Sequence, residues 1–258
     1  MNDVVDRFRD LLGSGCMTDP ELIASYLSDW RGLLRGRAAC VLRPRSVELL
    51  SACIRVCHEA GVSVVPQGGN TGLVGAATLD ESGMQVVVST GAMKKIRSVD
   101  PIDMSMIAEA GATIAELQAM AVEAGVLFPL SYASEGTATL GGALATNAGG
   151  VSAVRYGSAR DLLLGMEVVL PDGQIWNGLR TLRKDNTGYA LKHLFAGSEG
   201  TLDSAPLRPK TRCSTFGSNC VRSPMGMYGP SSILLVPVSI WRNMRDFARP
   251  SRERTIMF

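Results

Sequence analysis

Apolar and polar positions change period several times along the chain, and each change marks an element. Residues 4–12 place apolar side chains at helical spacing and stop at Gly13-Ser14-Gly15. Thr18-Asp19-Pro20-Glu21 carries the proline and the acid of a helical first turn. Ala38–Leu42 is a short apolar run and predicts a strand. Ser46 then stands where a helix reaching Glu59 needs a cap, and Gly61 where it needs a stop. Residues 62–65 read as a buried strand, as do the valine-rich residues 84–89 and residues 106–110. Gly111-Ala112-Thr113 turns the last of these into a helix over Ile114–Glu123, closed by Gly125. Leu140–Ala145 is small and apolar, the pattern of a helical turn packed against something flat. Residues 165–170 predict a strand ending in the turn Pro171-Asp172-Gly173, and residues 191–195 a helix. Residues 232–241 are apolar enough for a strand, but Pro237 interrupts the run.

Two stretches break this periodicity with glycine. The first is Pro66-Gln67-Gly68-Gly69-Asn70-Thr71-Gly72-Leu73-Val74-Gly75, with four glycines in eight residues. Such a segment drops side chains where the backbone turns sharply or meets a ligand closely. Its successive N–H groups can form an anion-binding concavity, for which a diphosphate is the obvious guest. The second, residues 141–150, has the same uncharged Gly, Thr and Asn character. Either alone reads as a tight loop. Together they point to one long ligand held at both ends. The first segment has no P-loop lysine and no G-x-G-x-x-G opening a long helix, so it fits neither of the commoner nucleotide motifs.

Composition narrows the setting. A chain of 258 residues, 46% of them hydrophobic, is long and apolar enough to bury a core. A net charge of +2 and 5% aromatic residues argue against a nucleic-acid surface. The longest apolar runs fall well short of a membrane span. The N-terminus mixes acids with bases around no apolar centre, unlike a secretory or transit peptide, which predicts a cytoplasmic location. Six irregularly spaced cysteines read as free thiols; Cys53, Cys57 and His58 lack further ligands at matching spacing.

The strings PQGGNTGLVG, TLGGALATNAGG, the following Arg155-Tyr156-Gly157, and RKDNTGYALKHLFAGSEGTL resemble the FAD-binding domain of the D-lactate and D-2-hydroxyglutarate dehydrogenases. These belong to the vanillyl-alcohol-oxidase-like flavoproteins. The resemblance runs from about Cys40 to Leu202. It implies an α+β fold of the PCMH type, with FAD between two α+β subdomains at residues 37–98 and 99–202, preceded by N-terminal helices in residues 1–36. It places at the cofactor Pro66, Gln67, Gly68, Gly69, Asn70, Thr71, Gly72, Leu73 and Gly75 from the first segment, and Pro129, Gly136 and Thr137 ahead of the second. Gly141, Gly142, Ala145, Thr146, Asn147, Gly149 and Gly150 follow from the second segment, then Tyr156, Gly157, Glu199 and Thr201. Thr146 and Asn147 offer uncharged partners, which suits flavin ring atoms that need hydrogen bonds rather than ion pairs. Some members of the wider superfamily attach FAD through a histidine in the first loop. Asn70 stands at that position, so FAD is expected to be held noncovalently.

The resemblance also implies an activity. Intact members oxidise a small 2-hydroxy acid, D-lactate or D-2-hydroxyglutarate, to the 2-oxo acid with hydride passing to flavin N5. A second domain supplies them with a histidine pair and a carboxylate for a divalent metal, a catalytic histidine and a substrate-binding arginine. Here residues 203–258 carry nine Lys/Arg against three Asp/Glu and are rich in Pro, Ser and Met. They read as an out-of-frame end, most of it poorly ordered, that replaces the substrate domain; a basic extension is the competing reading. The chain's two histidines, His58 and His193, match no catalytic position. No catalytic residue and no metal are therefore expected, and activity of the chain alone is expected to be low or absent. The rival readings are a reductase of the same fold, like the one acting on UDP-N-acetylenolpyruvoylglucosamine, and a non-catalytic fragment that needs a second chain.

Overall fold

A computed structural model describes residues 1–200 and the strand backbones at 232–239 and 241–242. The chain opens with helix α1 (Asn2–Leu12), which buries Val5 and Phe8 about one turn apart, and the short strand β1 (Cys16–Met17). Helix α2 (Pro20–Ile23) starts at Asp19, whose carboxylate accepts the Glu21 N–H. Strand β2 (Ala38–Leu42), helix α3 (Val47–Ala60), and strands β3 (Val64–Gln67) and β4 (Gln85–Ser89) complete the first sheet. Its order is β1-β2-β4-β3, with β2, β4 and β3 parallel and β1 antiparallel to β2.

Parallel neighbours need a crossover, and α3 provides it. Ser46 Oγ accepts the Leu49 N–H at 3.3 Å, and Gly61 at φ 63° ends the helix in the left-handed conformation that glycine adopts without strain. Alternation along the strands covers both faces. Cys40, Leu42, Val64, Val86 and Val88 pack with Phe8, Leu50 and Ile54, while Val41, Val65 and Val87 meet Ile23 and Leu79. The strand expected at residues 62–65 starts later and continues through Pro66 and Gln67, which pair with Val88 and Ser89.

The second half contains β5 (Ile96–Asp100), β6 (Ser105–Ala108), α4 (Ile114–Glu123), β7 (Val126–Leu127), α5 (Leu140–Ala145), α6 (Ala153–Tyr156) and α7 (Ala159–Leu162). It continues with β8 (Met166–Val169), β9 (Ile175–Gly178), α8 (Lys192–Phe195), β10 (Ser232–Ser239) and β11 (Trp241–Arg242). Its main sheet is antiparallel, in the order β5-β6-β10-β8-β9; β11 pairs with β7. Met106, Ile114, Leu117, Phe128, Leu140, Leu144 and Met166 form its core. A reciprocal cap starts α4: Thr113 Oγ1 accepts the Glu116 N–H, and the Glu116 carboxylate accepts the Thr113 N–H. The halves are joined where Ser51 Oγ, on α3, donates to Gly173 O at 2.5 Å and Val169 enters the first half's core.

Strands β10 and β11 fall in and beside the apolar run at residues 232–241; the remainder of residues 203–258 lies outside the described residues. Pro237 does not break β10. It pairs with Ile107 of β6 and lies past Leu235, the last residue paired with β8, so among the described residues the ladder there has a partner on one side only. A proline's missing N–H is tolerated at such a position.

Candidate functional site

Strands β3 and β4 end side by side, with Gln67 opposite Ser89. Beyond these carboxyl ends the chain leaves into the first glycine segment and into a single 3₁₀ turn, Thr90–Ala92. The crevice outside the carboxyl ends of parallel strands is where open sheets of this kind take ligands. Residues 137–142 of the second half approach it from the other side. A Cβ on Gly68 would strike Thr139 Oγ1 and sit 3.7 Å from Gly142 Cα, and one on Gly69 would run into Thr137 O. A Cβ on Gly141 would lie 2.8 Å from Ala110 Cβ. These glycines let the two segments touch each other. Gly72 differs, since a Cβ there would have nothing within 4 Å.

The two segments line one cavity of about 410 Å³. Its walls are pinned by side chains that spend their polar groups on the protein. Gln67, 2% exposed, donates through Nε2 to Tyr26 O and Ala77 O, both at 3.1 Å. Asn70 takes the left-handed φ of 50° that Asn tolerates better than most residues, and donates through Nδ2 to Ser28 O at 2.8 Å. Thr146 Oγ1 donates to Gly142 O at 2.9 Å. Glu199 is left-handed too, at φ 51°, and its N–H reaches Ala145 O at 2.9 Å. Among the described residues that line the cavity, Glu199 is the only Asp, Glu, Lys, Arg or His. Tyr132, also in the wall, is pushed up to about 12 by burial and then by the nearby Glu135 carboxylate, so it stays a neutral phenol at pH 7. Thr90, 7% exposed, is also part of this wall, and its buried hydroxyl has no partner among the described residues.

Of the residues singled out from the sequence, Pro66 to Leu73, Gly141, Gly142, Ala145, Thr146 and Glu199 line this cavity. Gly75, Pro129, Gly136, Thr137, Asn147, Gly149, Gly150, Tyr156 and Gly157 do not, and several have local work instead. Asn147 Oδ1 accepts the Arg160 N–H in the first turn of α7. Gly150 clears Ser131 O; Gly157, at φ 83°, turns the chain beside Asp161. Thr201 lies outside the described residues. Sequence reading missed Thr90, Ala110, Tyr132, Ser134 and Thr139. For Thr90 the signal was its place at the carboxyl end of a valine-rich strand beside a second such strand. For Thr139 it was its place as the cap of α5, where its Oγ1 accepts the Gly142 N–H at 3.3 Å.

The chain is similar to the mitochondrial D-2-hydroxyglutarate dehydrogenase of Danio rerio, 44% identical over 239 residues that take in 85% of this chain and 44% of that protein. It is similar to the mitochondrial D-2-hydroxyglutarate dehydrogenase of Bos taurus, 44% identical over 72% of this chain and 34% of that one. It thus spans less than half the length of these relatives. In fold it matches an alkyldihydroxyacetonephosphate synthase with a TM-score of 0.74 at 21% identity, over 94% of this chain and 40% of that one. The cytoplasmic location expected from the N-terminus is corrected by the relatives, which are named as mitochondrial proteins. A family model described as an FAD binding domain matches residues 38–178, more than half of the chain, and the chain belongs to that family.

Proposed function

We propose that the chain is the FAD-binding half of a flavin-dependent dehydrogenase acting on a small D-2-hydroxy acid. The observation that carries this is the single cavity walled by both glycine segments. Its residues suit the cofactor: open space beside the backbone at Gly72, and small side chains at Ala110 and Ala143. The first segment would hold the diphosphate through backbone N–H groups, and the α5 side would pack against the ring system. When bound, FAD supplies a two-electron acceptor. Attachment is noncovalent in this reading, because the Asn70 amide is no nucleophile and is engaged with Ser28 O. The described residues hold the cofactor, exclude water from it and leave proton transfer to groups elsewhere. Neither His58 nor His193 lines the cavity, so the chain alone should turn over D-lactate or D-2-hydroxyglutarate slowly or not at all. We assign it no divalent metal; among the described residues no three His, Cys, Asp or Glu side chains gather in a way that could hold one. The names of the relatives favour a mitochondrial setting.

The test is the flavin absorbance of freshly purified protein, with thermal unfolding followed as FAD is added. A ligand that binds only the native state stabilises it by about 2.7 kcal/mol at a hundred times its Kd. Protein that purifies colourless and melts at one temperature whatever the FAD concentration would reject the reading.

A further inference from the structure

Two free thiols meet across a strand pair on the far side of the first sheet. Cys16 on β1 lies opposite Leu42 of β2, and Cys40 stands two residues before Leu42, so both cysteines are on one face of the sheet. That face packs against α1 and α3. Cys16 meets the core that contains Cys40, Cys53 and Cys57, and its thiol donates to Val5 O at 4.0 Å. The Cys16 and Cys40 thiols hydrogen-bond to each other. Diagonal cross-strand neighbours lie about 7–8 Å apart at Cα, just beyond the roughly 4.4–6.8 Å that a disulfide spans. Strand β1 has only two residues, follows the turn Gly13-Ser14-Gly15, and pairs with β2 alone among the described strands, so a small shift of this edge closes the difference.

The two thiols are unlike. Cys16 is half-buried on the sheet edge, whereas Cys40 is fully buried. The bond from Cys40 lowers the Cys16 thiol, and the Arg9 guanidinium acts the same way, against burial and Asp6. Arg9 is held at this edge by Asp6 at 2.7 Å and Thr18 Oγ1 at 3.4 Å. The same contact, with burial, raises Cys40. Cys16 is therefore the thiol that reaches solvent and ionises, and ionised thiols are the ones that attack peroxides. Cys40 waits beside it, protonated.

We propose that Cys16 and Cys40 are a peroxide-reactive pair that closes to a disulfide. The Cys16 thiolate attacks one oxygen of a hydroperoxide and the O–O bond breaks. The other oxygen leaves as an alcohol, or as water from hydrogen peroxide, taking up the proton that Cys16 released, and Cys16 becomes a sulfenic acid. The Cys40 sulfur then attacks the Cys16 sulfur, the S–O bond breaks, and water leaves with the Cys40 proton. Two thiols lose two electrons in all, and the hydroperoxide gains them. The bond closes a loop over residues 17–39, whose Tyr26 and Ser28 carbonyls accept Gln67 and Asn70 in the cavity wall, so it braces the first glycine segment from behind. This holds whether or not the cavity takes FAD.

The test treats the full chain with hydrogen peroxide, blocks the remaining thiols with iodoacetamide during denaturation, and digests with trypsin without reduction. Arg31, Arg35 and Arg37 lie between the two cysteines, which therefore fall on separate peptides. Mass spectrometry should find these two peptides joined as the main oxidised product and separated again by a thiol reductant. Cys16→Ser should slow the loss of the Cys40 thiol by about tenfold or more, and Cys40→Ser should leave Cys16 as a sulfenic acid that dimedone traps. Cys16 joined chiefly to Cys53 or to any other cysteine would overturn the proposal, as would Cys16 oxidised while Cys40 still takes iodoacetamide. So would Cys40 lost as fast in Cys16→Ser as in wild type, or both thiols intact under peroxide that oxidises glutathione in a parallel tube. Should Cys40→Ser fail to fold, the wild-type map and Cys16→Ser decide the matter.

Discussion

Gly69→Ala should loosen the contact between the two halves before any ligand is present. The added methyl would overlap Thr137 O and come within 2.7 Å of Thr137 C and 3.1 Å of Ala138 Cα. All three are backbone atoms, and that backbone is tied down. The Thr137 and Ala138 N–H groups both donate to Ser134 O, at 2.9 and 2.8 Å, and Ala138 O accepts the Ile114 N–H at 3.0 Å. The wall cannot yield without breaking these bonds, so the first glycine segment must back away. Overpacking of this kind costs about 1–3 kcal/mol. At roughly 2–4 °C per kcal/mol for a chain near this length, the melting temperature should fall by about 2–12 °C. Gly72→Ala is the matched control. Its Cβ meets nothing within 4 Å and its φ is not left-handed, so the ligand-free protein should melt at the wild-type temperature or up to about 4 °C above it. Gly72 does line the cavity, so that variant should nonetheless bind FAD less well. Circular dichroism melts without ligand and FAD titrations of both variants make the comparison. A Gly69→Ala protein that melts with wild type, or a Gly72→Ala protein that falls as far, would refute the assignment of these two glycines to different tasks.

Three further expectations follow from particular side chains. Ser46→Ala removes the oxygen that accepts the Leu49 N–H at the start of α3 and should cost about 1 kcal/mol in denaturant unfolding; an unchanged midpoint would contradict the capping role. The Thr187 hydroxyl and N–H, and then Arg180, hold the Asp185 carboxyl down to about 2. Because its folded value is depressed, its contribution is complete above the unfolded value of about 3.9 and is lost as pH falls through about 2; an NMR carboxyl titration centred near 4 would refute this. Among the described cysteines iodoacetamide should label Cys16 first. Its hydrogen bond with Cys40 lowers its thiol, whereas burial pushes Cys53 up to about 12 and raises Cys57, and the same Cys16 contact, with burial, raises Cys40; peptide mapping that finds Cys53 labelled ahead of Cys16 would count against it.

Elements with local signals were legible in the sequence. Helix α3 announces itself through Ser46 and Gly61, α4 through Thr113 and Gly125, and the parallel strands through their runs of valine, because each signal acts within a few residues. What depends on distant partners was not legible in this way. Pro237 argues against a strand when taken alone; it fits only because β8 stops pairing at Leu235, a fact about another part of the chain. Thr90 carries no motif, and its place in the cavity follows from β4 ending beside β3. The first glycine segment was legible as a site, but not in the division of tasks among its glycines. A sequence shows where side chains are missing and not what occupies the space.

That division ties the cavity to the meeting of the two halves. Gly68 and Gly69 come from the first sheet and press on Thr137, Thr139 and Gly142, while Gly141 presses on Ala110 at the end of β6. The walls at Gln67 to Leu73 and at Ala138 to Thr146 therefore belong to different layers, and neither layer alone encloses the space. A cofactor lying between them would bind more tightly the better the halves dock, and by the same linkage would hold them together. A substitution at this seam should then weaken binding even where the residue never touches the ligand. In this fold the residues that shape the site are partly those that keep the two sheets in register across it.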